Sequence, residues 1–272
     1  CVMTDKKTPA STKEKTKKKN KPKGKRRSIG KLILKIFLGL ILAFGLFAGY
    51  FFISLPSVDH LVKENPGTTA MIQYRLEQAE EKGKKLTIRH RWVRFRNIPK
   101  LMKYAIRIAE DDKFYHHDGI DYDAIKKAFK HNKKKGRKAR GGSTITQQLA
   151  KNLFLSPKKS YYRKIREFFI AKKLENNLSK DRIFCIYLNV IEFGPGVFGV
   201  GAASRYYFKK PAHQLTLEEI LRLTAIIPKP LKVSPKGNSR FLKYRANVIL
   251  NRMRRYGYIS DDTYYTTRKK FM

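Results

Sequence analysis

Residues 36–55 read IFLGLILAFGLFAGYFFISL, a run of 20 without a charged side chain. As a helix such a run covers about 30 Å, the thickness of a bilayer's hydrocarbon, where backbone amides find no water and must bond within the segment. A cleavable signal peptide has a shorter apolar region and a small-residue cleavage site, and Ser54-Leu55-Pro56-Ser57 is a poor one. The segment is therefore read as one transmembrane helix. Before it, residues 1–35 carry 14 Lys or Arg against Asp5 and Glu14, whereas 56–75 hold only Lys63 and Arg75. Positive charge stays on the cytoplasmic side, so the tail is expected inside and the remainder outside.

The 272 residues then divide into a basic cytoplasmic tail at 1–35, the span at 36–55, a stalk at 56–69 and one globular domain at 70–272. A hydrophobic fraction of 42% suffices for a core there. The formal charge of +41 calls for a polyanion or an anionic surface. An outward domain at a membrane meets anionic lipid and lipid-linked phosphate first, and nucleic acid is not expected as a partner. Two cysteines, Cys1 and Cys185, build neither a disulfide framework nor a zinc site, and Met3 is a candidate start.

Apolar spacing predicts helices over most of the outer part: 71–81 before a break at Gly83, then 101–109, 144–155, 161–178 and 180–191. Thr216 and Glu219 form a capping box before LEEILRLTAII, which Pro228 and Pro230 end, and a last helix runs from Ser239 to Tyr256 before Gly257. One strand is expected, at 86–95 (LTIRHRWVRF).

Glu110 sits four residues after Ile106 and beside Ala109, at the edge of its helix's apolar stripe, with Asp111 and Asp112 following. A carboxylate desolvated there and flanked by like charges has a raised pKa, which suits a general base for a hydroxyl near neutral pH. A solvated acidic cluster ending a helix is the other reading. In GGSTITQQLAKN, 141–152, the glycines lead into Ser143, which can cap a helix with Ile145, Leu149 and Leu153 on one side and Thr144, Gln148 and Lys151 on the other. Free amides at a helix N-terminus, a capping hydroxyl and a lysine two turns on make a cradle for phosphate or pyrophosphate. The preceding HNKKKGRKAR adds steering, and no Gly-Lys-Ser/Thr ending marks a nucleotide loop. Arg163 and Glu167 form either a plain helical salt bridge or the ordered part of a site. His116 and His117 lack a third metal ligand, so His117 is read as a structural hydrogen-bonding residue. Phe154, Leu155, Tyr161 and Tyr162 form either an apolar lip toward the bilayer or a packing cluster.

Glu110, Asp111, Phe114, His117 and Gly119, taken with GGSTITQQLAKN, resemble the first two motifs of the family 51 peptidoglycan glycosyltransferases. Arg163-Lys164-Ile165-Arg166-Glu167 is similar to the third motif, Tyr187-Leu188-Asn189 through Gly194, Gly199 and Tyr207-Phe208 to the fourth, and 217–235 with Arg245 to the fifth. The stretch YLNVIEFGPGVFGVGAASRYYF is especially similar to the monofunctional biosynthetic transglycosylases, which lack a transpeptidase domain. Lys159, where Arg is common, and Arg222, inside the apolar fifth motif, depart from the pattern.

The resemblance implies a mainly α, lysozyme-like glycosyltransferase domain with a smaller membrane-facing lobe, beside the one N-terminal transmembrane helix. It implies lipid II, the undecaprenyl-pyrophosphoryl disaccharide-pentapeptide, as substrate together with the growing glycan strand. Glu110 and Glu167 are its implied catalytic residues, with Lys151, Arg163 and Lys159 at the pyrophosphate. Ser143, Thr144, Gln147, Gln148, Asn152, Asp111 and Phe114 are implied as further substrate contacts, and His117, Gly119, Lys164, Asn189, Gly194, Glu219 and Arg245 as structural support. No cofactor is required and no protein-held metal is expected, though a divalent cation, Mg or Mn, can assist. The implied setting is the bacterial cytoplasmic membrane, with other cell-wall synthases as possible associates. Two rivals remain: a lysozyme-like murein hydrolase or lytic transglycosylase, and a membrane-tethered basic scaffold for an anionic polymer.

Overall fold

The computed structural model describes residue 2 and residues 24–136 and 141–272. Cys1, Met3, the tail before residue 24 and the end of the basic run at 137–140 lie outside the described residues. The chain forms two compact units, Cys1–Ser54 and Leu55–Met272.

The first unit holds α1, Gly24–Ile53. Within it Ile29–Ile53 has a mean hydropathy of 2.4 over 25 residues, and Leu38, Leu42, Phe44 and Leu46 are exposed, a surface suited to lipid. The helix starts before the apolar run because Lys31, Leu32, Leu34 and Lys35 are strong helix formers. It stops short of Pro56, with the Ser54 hydroxyl donating to the Phe51 carbonyl at 2.8 Å.

The second unit runs α2 (Ala70–Glu80), β1 (Arg89–His90), α3 (Lys100–Glu110), α4 (Tyr122–Lys135), α5 (Ile145–Phe154), α6 (Tyr161–Asn177), α7 (Lys180–Val190), β2 (Glu192–Gly194), β3 (Val197–Phe198), α8 (Gly199–Phe208), α9 (Leu217–Ile226), α10 (Arg240–Arg255) and α11 (Asp261–Arg268). Side chains that accept an orphan amide set where these helices begin: Thr69, Asp121, Thr144, Ser160, Ser179, Thr216, Ser239 and Ser260. The capping box of Thr216 and Glu219 forms as its sequence predicts, and Lys210 also pairs with Glu219 at 2.9 Å. Helix α5 packs on α6, α7 and α2, while α3 packs on α9 and α10. Ile106, Leu149, Ile170, Phe184, Leu188, Leu221 and Leu250 belong to the main core cluster that joins these layers, and Met71, Ile72 and Phe198 form a smaller one.

Three expectations change. The strand at 86–95 shrinks to Arg89–His90, because the backbone beyond it bonds a side chain instead of a strand: Asn189 accepts from the Val93 amide at 2.7 Å and donates to its carbonyl at 3.0 Å. Asn189 thus braces this segment. A three-stranded sheet ordered β1-β3-β2 appears where only one strand was expected, with β1 parallel and β2 antiparallel to β3. Its tight Gly194–Gly196 turn was legible only as a glycine cluster. The segment 56–69 packs into the second unit rather than standing off as a stalk: Val58 and Leu61 are buried in the core, and Arg182 donates to the Leu61 carbonyl at 2.7 Å and the Asn65 side chain at 3.0 Å.

Close approach governs several glycines, Gly194 and Gly199 among them. A Cβ on Gly194 would lie 2.0 Å from the Tyr207 hydroxyl, and one on Gly199, at φ +79°, would lie 2.3 Å from the Asn189 carbonyl. Gly199→Ala is therefore expected to cost at least about 2 kcal/mol, lowering the melting temperature of the detergent-solubilised chain by roughly 5 °C or more. An unchanged melt would show that the Asn189 loop yields freely.

Candidate active site at the end of helix α3

Met102, Ala105, Ile106 and Ile108 bury one face of α3 and so fix where its last residue, Glu110, points. Glu110 Oε1 accepts from Arg245 Nη2 of α10 at 3.1 Å, and Oε2 accepts from Gln148 Nε2 of α5 at 3.2 Å. Gln148 Oε1 in turn accepts from the Tyr187 hydroxyl of α7 at 3.0 Å. Burial pushes the Glu110 pKa up and outweighs the opposing pull of Arg245, the Gln148 hydrogen bond and Lys151. The result is a carboxylate whose proton affinity is raised above that of an ordinary one.

The next residue anchors the site. Asp111 is buried, with both its oxygens 3.0 Å from His117 Nε2, and Oδ2 also accepts from the Ile145 amide at 2.9 Å. It therefore ties the end of α3 to the start of α5. Thr144, not Ser143, caps α5: its hydroxyl accepts from the Gln147 amide and donates to the Gly119 carbonyl at 2.6 Å, while Gln147 Oε1 returns to the Thr144 amide. Gly119 adopts φ +82° to offer that carbonyl. Asp112 links the same corner to α10, accepting from Arg252 at 2.7 Å and Tyr256 at 2.6 Å.

Three residues beyond Gln148 on α5 stands Lys151, with no hydrogen bond or ion pair among the described residues. Burial lowers its pKa, Glu167 opposes that, and Arg163 and Lys164 reinforce it. On α6, Arg163 Nη1 reaches Glu167 Oε2 at 2.5 Å, and Lys164 bonds Glu167 Oε1 and, at 3.1 Å, the Ser143 hydroxyl. Two cations share one buried carboxylate and Lys151 adds a third. This corner has surplus positive charge. Arg163 Nε is buried without a partner among the described residues.

Several expected contacts have other employment. Phe114 is 0% exposed, packed against Phe184 and under Lys180, so it is a core residue and not a substrate contact. Asp111, Thr144 and Gln147 spend their polar atoms on the α5 N-terminus, and the free-amide cradle expected there is filled by the protein's own carboxylate. Gln148 is committed to Glu110 and Tyr187, and Asn152 is buried. Lys159 and Ser143 are exposed, and Arg245, expected as support, touches Glu110 itself. Tyr187 had no expected role beyond its motif. Its signal was one hydroxyl in the apolar run 183–188. Among the described residues no three His, Cys, Asp or Glu side chains gather as a metal site, and both Glu167 oxygens bond cations.

A buried carboxylate of raised proton affinity thus stands near a corner of surplus positive charge. The model of the transglycosylase family matches residues 78–254. A biosynthetic peptidoglycan transglycosylase of Nitrosospira multiformis is 48% identical over 189 residues, 70% of this chain and 82% of its own. One from Chromobacterium violaceum is 40% identical over 211 residues, 76% of this chain and 92% of its own. The crystal structure of penicillin-binding protein 1A from Haemophilus influenzae matches 68% of this chain and 18% of that one, at 19% identity and a TM-score of 0.38. By its sequence relatives, the chain belongs to the transglycosylase family.

Asp111→Ala strips both the acceptor of the Ile145 amide and the His117 partner, and is expected to cost about 2–3 kcal/mol. Asp111→Asn, which keeps an acceptor, should cost less than half as much. Thermal denaturation of both variants decides this, and equal losses would mean that charge, not the acceptor alone, is what Asp111 supplies.

Proposed function

We propose that this chain is a membrane-anchored glycosyltransferase that polymerises lipid II into β(1→4) glycan strands. The observation that carries the reading is the adjacency of Glu110, raised in pKa by burial, to Lys151, unpaired among the described residues, and to the Arg163–Lys164–Glu167 cluster. Glu110 takes the proton of the acceptor sugar's 4-hydroxyl as that oxygen attacks the donor's anomeric carbon. The bond to the lipid pyrophosphate breaks with inversion, and its electrons leave on the pyrophosphate. Lys151, Arg163 and Lys164 offset the charge that develops there, Glu167 holding the last two in place. A divalent cation, if used, arrives on the diphosphate.

The anchor places this chemistry where a lipid-bound donor lies. With 14 basic residues ahead of the span, the tail faces the cytoplasm and the site faces outward. A murein hydrolase also uses a glutamate beside a sugar, but it expels no pyrophosphate and has no use for surplus cations.

Purified chain given lipid II is expected to yield glycan strands and free undecaprenyl pyrophosphate, with and without chelator. Cleavage of preformed murein in place of polymerisation would overturn the reading. Glu110→Gln should lose at least about 100-fold in rate with an unchanged melt. A base works ionised, so activity is full above its pKa and falls as pH drops through it. Because burial raises that pKa, the acid limb is expected above the ordinary 4.5.

A further inference from the structure

We propose that Tyr187 is a positioning residue for Glu110, acting through the side-chain amide of Gln148. The proposal rests on Glu110 being the base. Tyr187 is 0% exposed, and the one hydrogen bond of its hydroxyl among the described residues goes to Gln148 Oε1 at 3.0 Å, while Gln148 Nε2 donates to Glu110 Oε2 at 3.2 Å. A buried phenol needs an acceptor. Once it takes the amide oxygen, only the NH2 end of Gln148 is left to face Glu110.

The reversed amide would turn Oε1 toward Glu110. Two acceptors then meet while Glu110 is ionised, and the contact becomes favourable only when Glu110 carries a proton. Tyr187 therefore biases the pair toward the ionised form, which is the form a base needs. The other charged groups around Glu110 are Arg245 from α10, Lys151 from α5 and the neighbouring Asp111. Burial, reinforced by Glu110 and Asp111 and opposed by Arg245, keeps the Tyr187 hydroxyl protonated, so it remains a donor throughout the working range.

Tyr187→Phe keeps the ring and removes only the hydroxyl. In lipid II polymerisation followed across pH, the acid limb of kcat is expected to move up by about one unit, a roughly tenfold deficit on the limb that closes on the plateau, with KM within about twofold. Gln148→Met, which breaks the link at its middle, should move the limb the same way, and adding Tyr187→Phe to it should move it no further. A uniform loss at every pH, or a limb at the wild-type position, overturns the proposal. Should Tyr187→Phe fail to fold, an unmoved limb in Gln148→Met overturns it equally. Glu110→Gln measured alongside separates the two claims. Retained polymerisation there sinks the base assignment, whereas a dead Glu110→Gln with an unmoved Tyr187→Phe limb sinks only the role of Tyr187.

Discussion

One carboxylate holds the site together. Asp111 grips the His117 ring and the first amide of α5 at once, and it is the residue directly after Glu110. An anion at a helix N-terminus satisfies an orphan amide and meets the positive end of the dipole. Because the end of α3 is locked to the start of α5, Gln148 and Lys151, one and two turns into α5, come to the Glu110 side of the fold. Helix α10 closes the other side through Arg245 on Glu110 and Arg252 on Asp112. Position comes from helix ends, and helix ends come from caps.

The electrostatics follow from this geometry. Burial opposes charge on Glu110, and Arg245 and Gln148 favour it; burial prevails, so the proton affinity of this carboxylate is raised. Across the site the balance has the opposite sign. Glu167 offsets only part of the charge of Arg163 and Lys164, and Lys151 is paired with nothing among the described residues. Such an excess is costly unless an anion comes to meet it. In the proposed reaction a diphosphate leaving group is that anion.

Much of this was legible in the sequence, and the rest was hidden for physical reasons. Helices α5, α6, α7, α9 and α10 announced themselves by spacing and by capping residues, which are local signals. Glu110 stood out at the edge of an apolar stripe. The partners of a polar group are not local, so Thr144, Gln147 and Asp111 read as ligand contacts when they complete one another. Phe114 read as a motif residue and is a core residue, because burial depends on α7, some 70 positions on. The small sheet escaped because two- and three-residue strands carry no periodicity, and its register depends on where Gly196 meets Arg89.

The central claim is that burial outweighs Arg245 in setting the proton affinity of Glu110, and direct titration of that side chain tests it. Isotope-edited infrared difference spectra of the chain against Glu110→Gln, recorded as pH is swept, report its protonated carbonyl. The account predicts that the band persists above the ordinary value of 4.5. A band already gone at or below 4.5 would mean that the guanidinium prevails and that Glu110 is a fixed anion rather than a poised base.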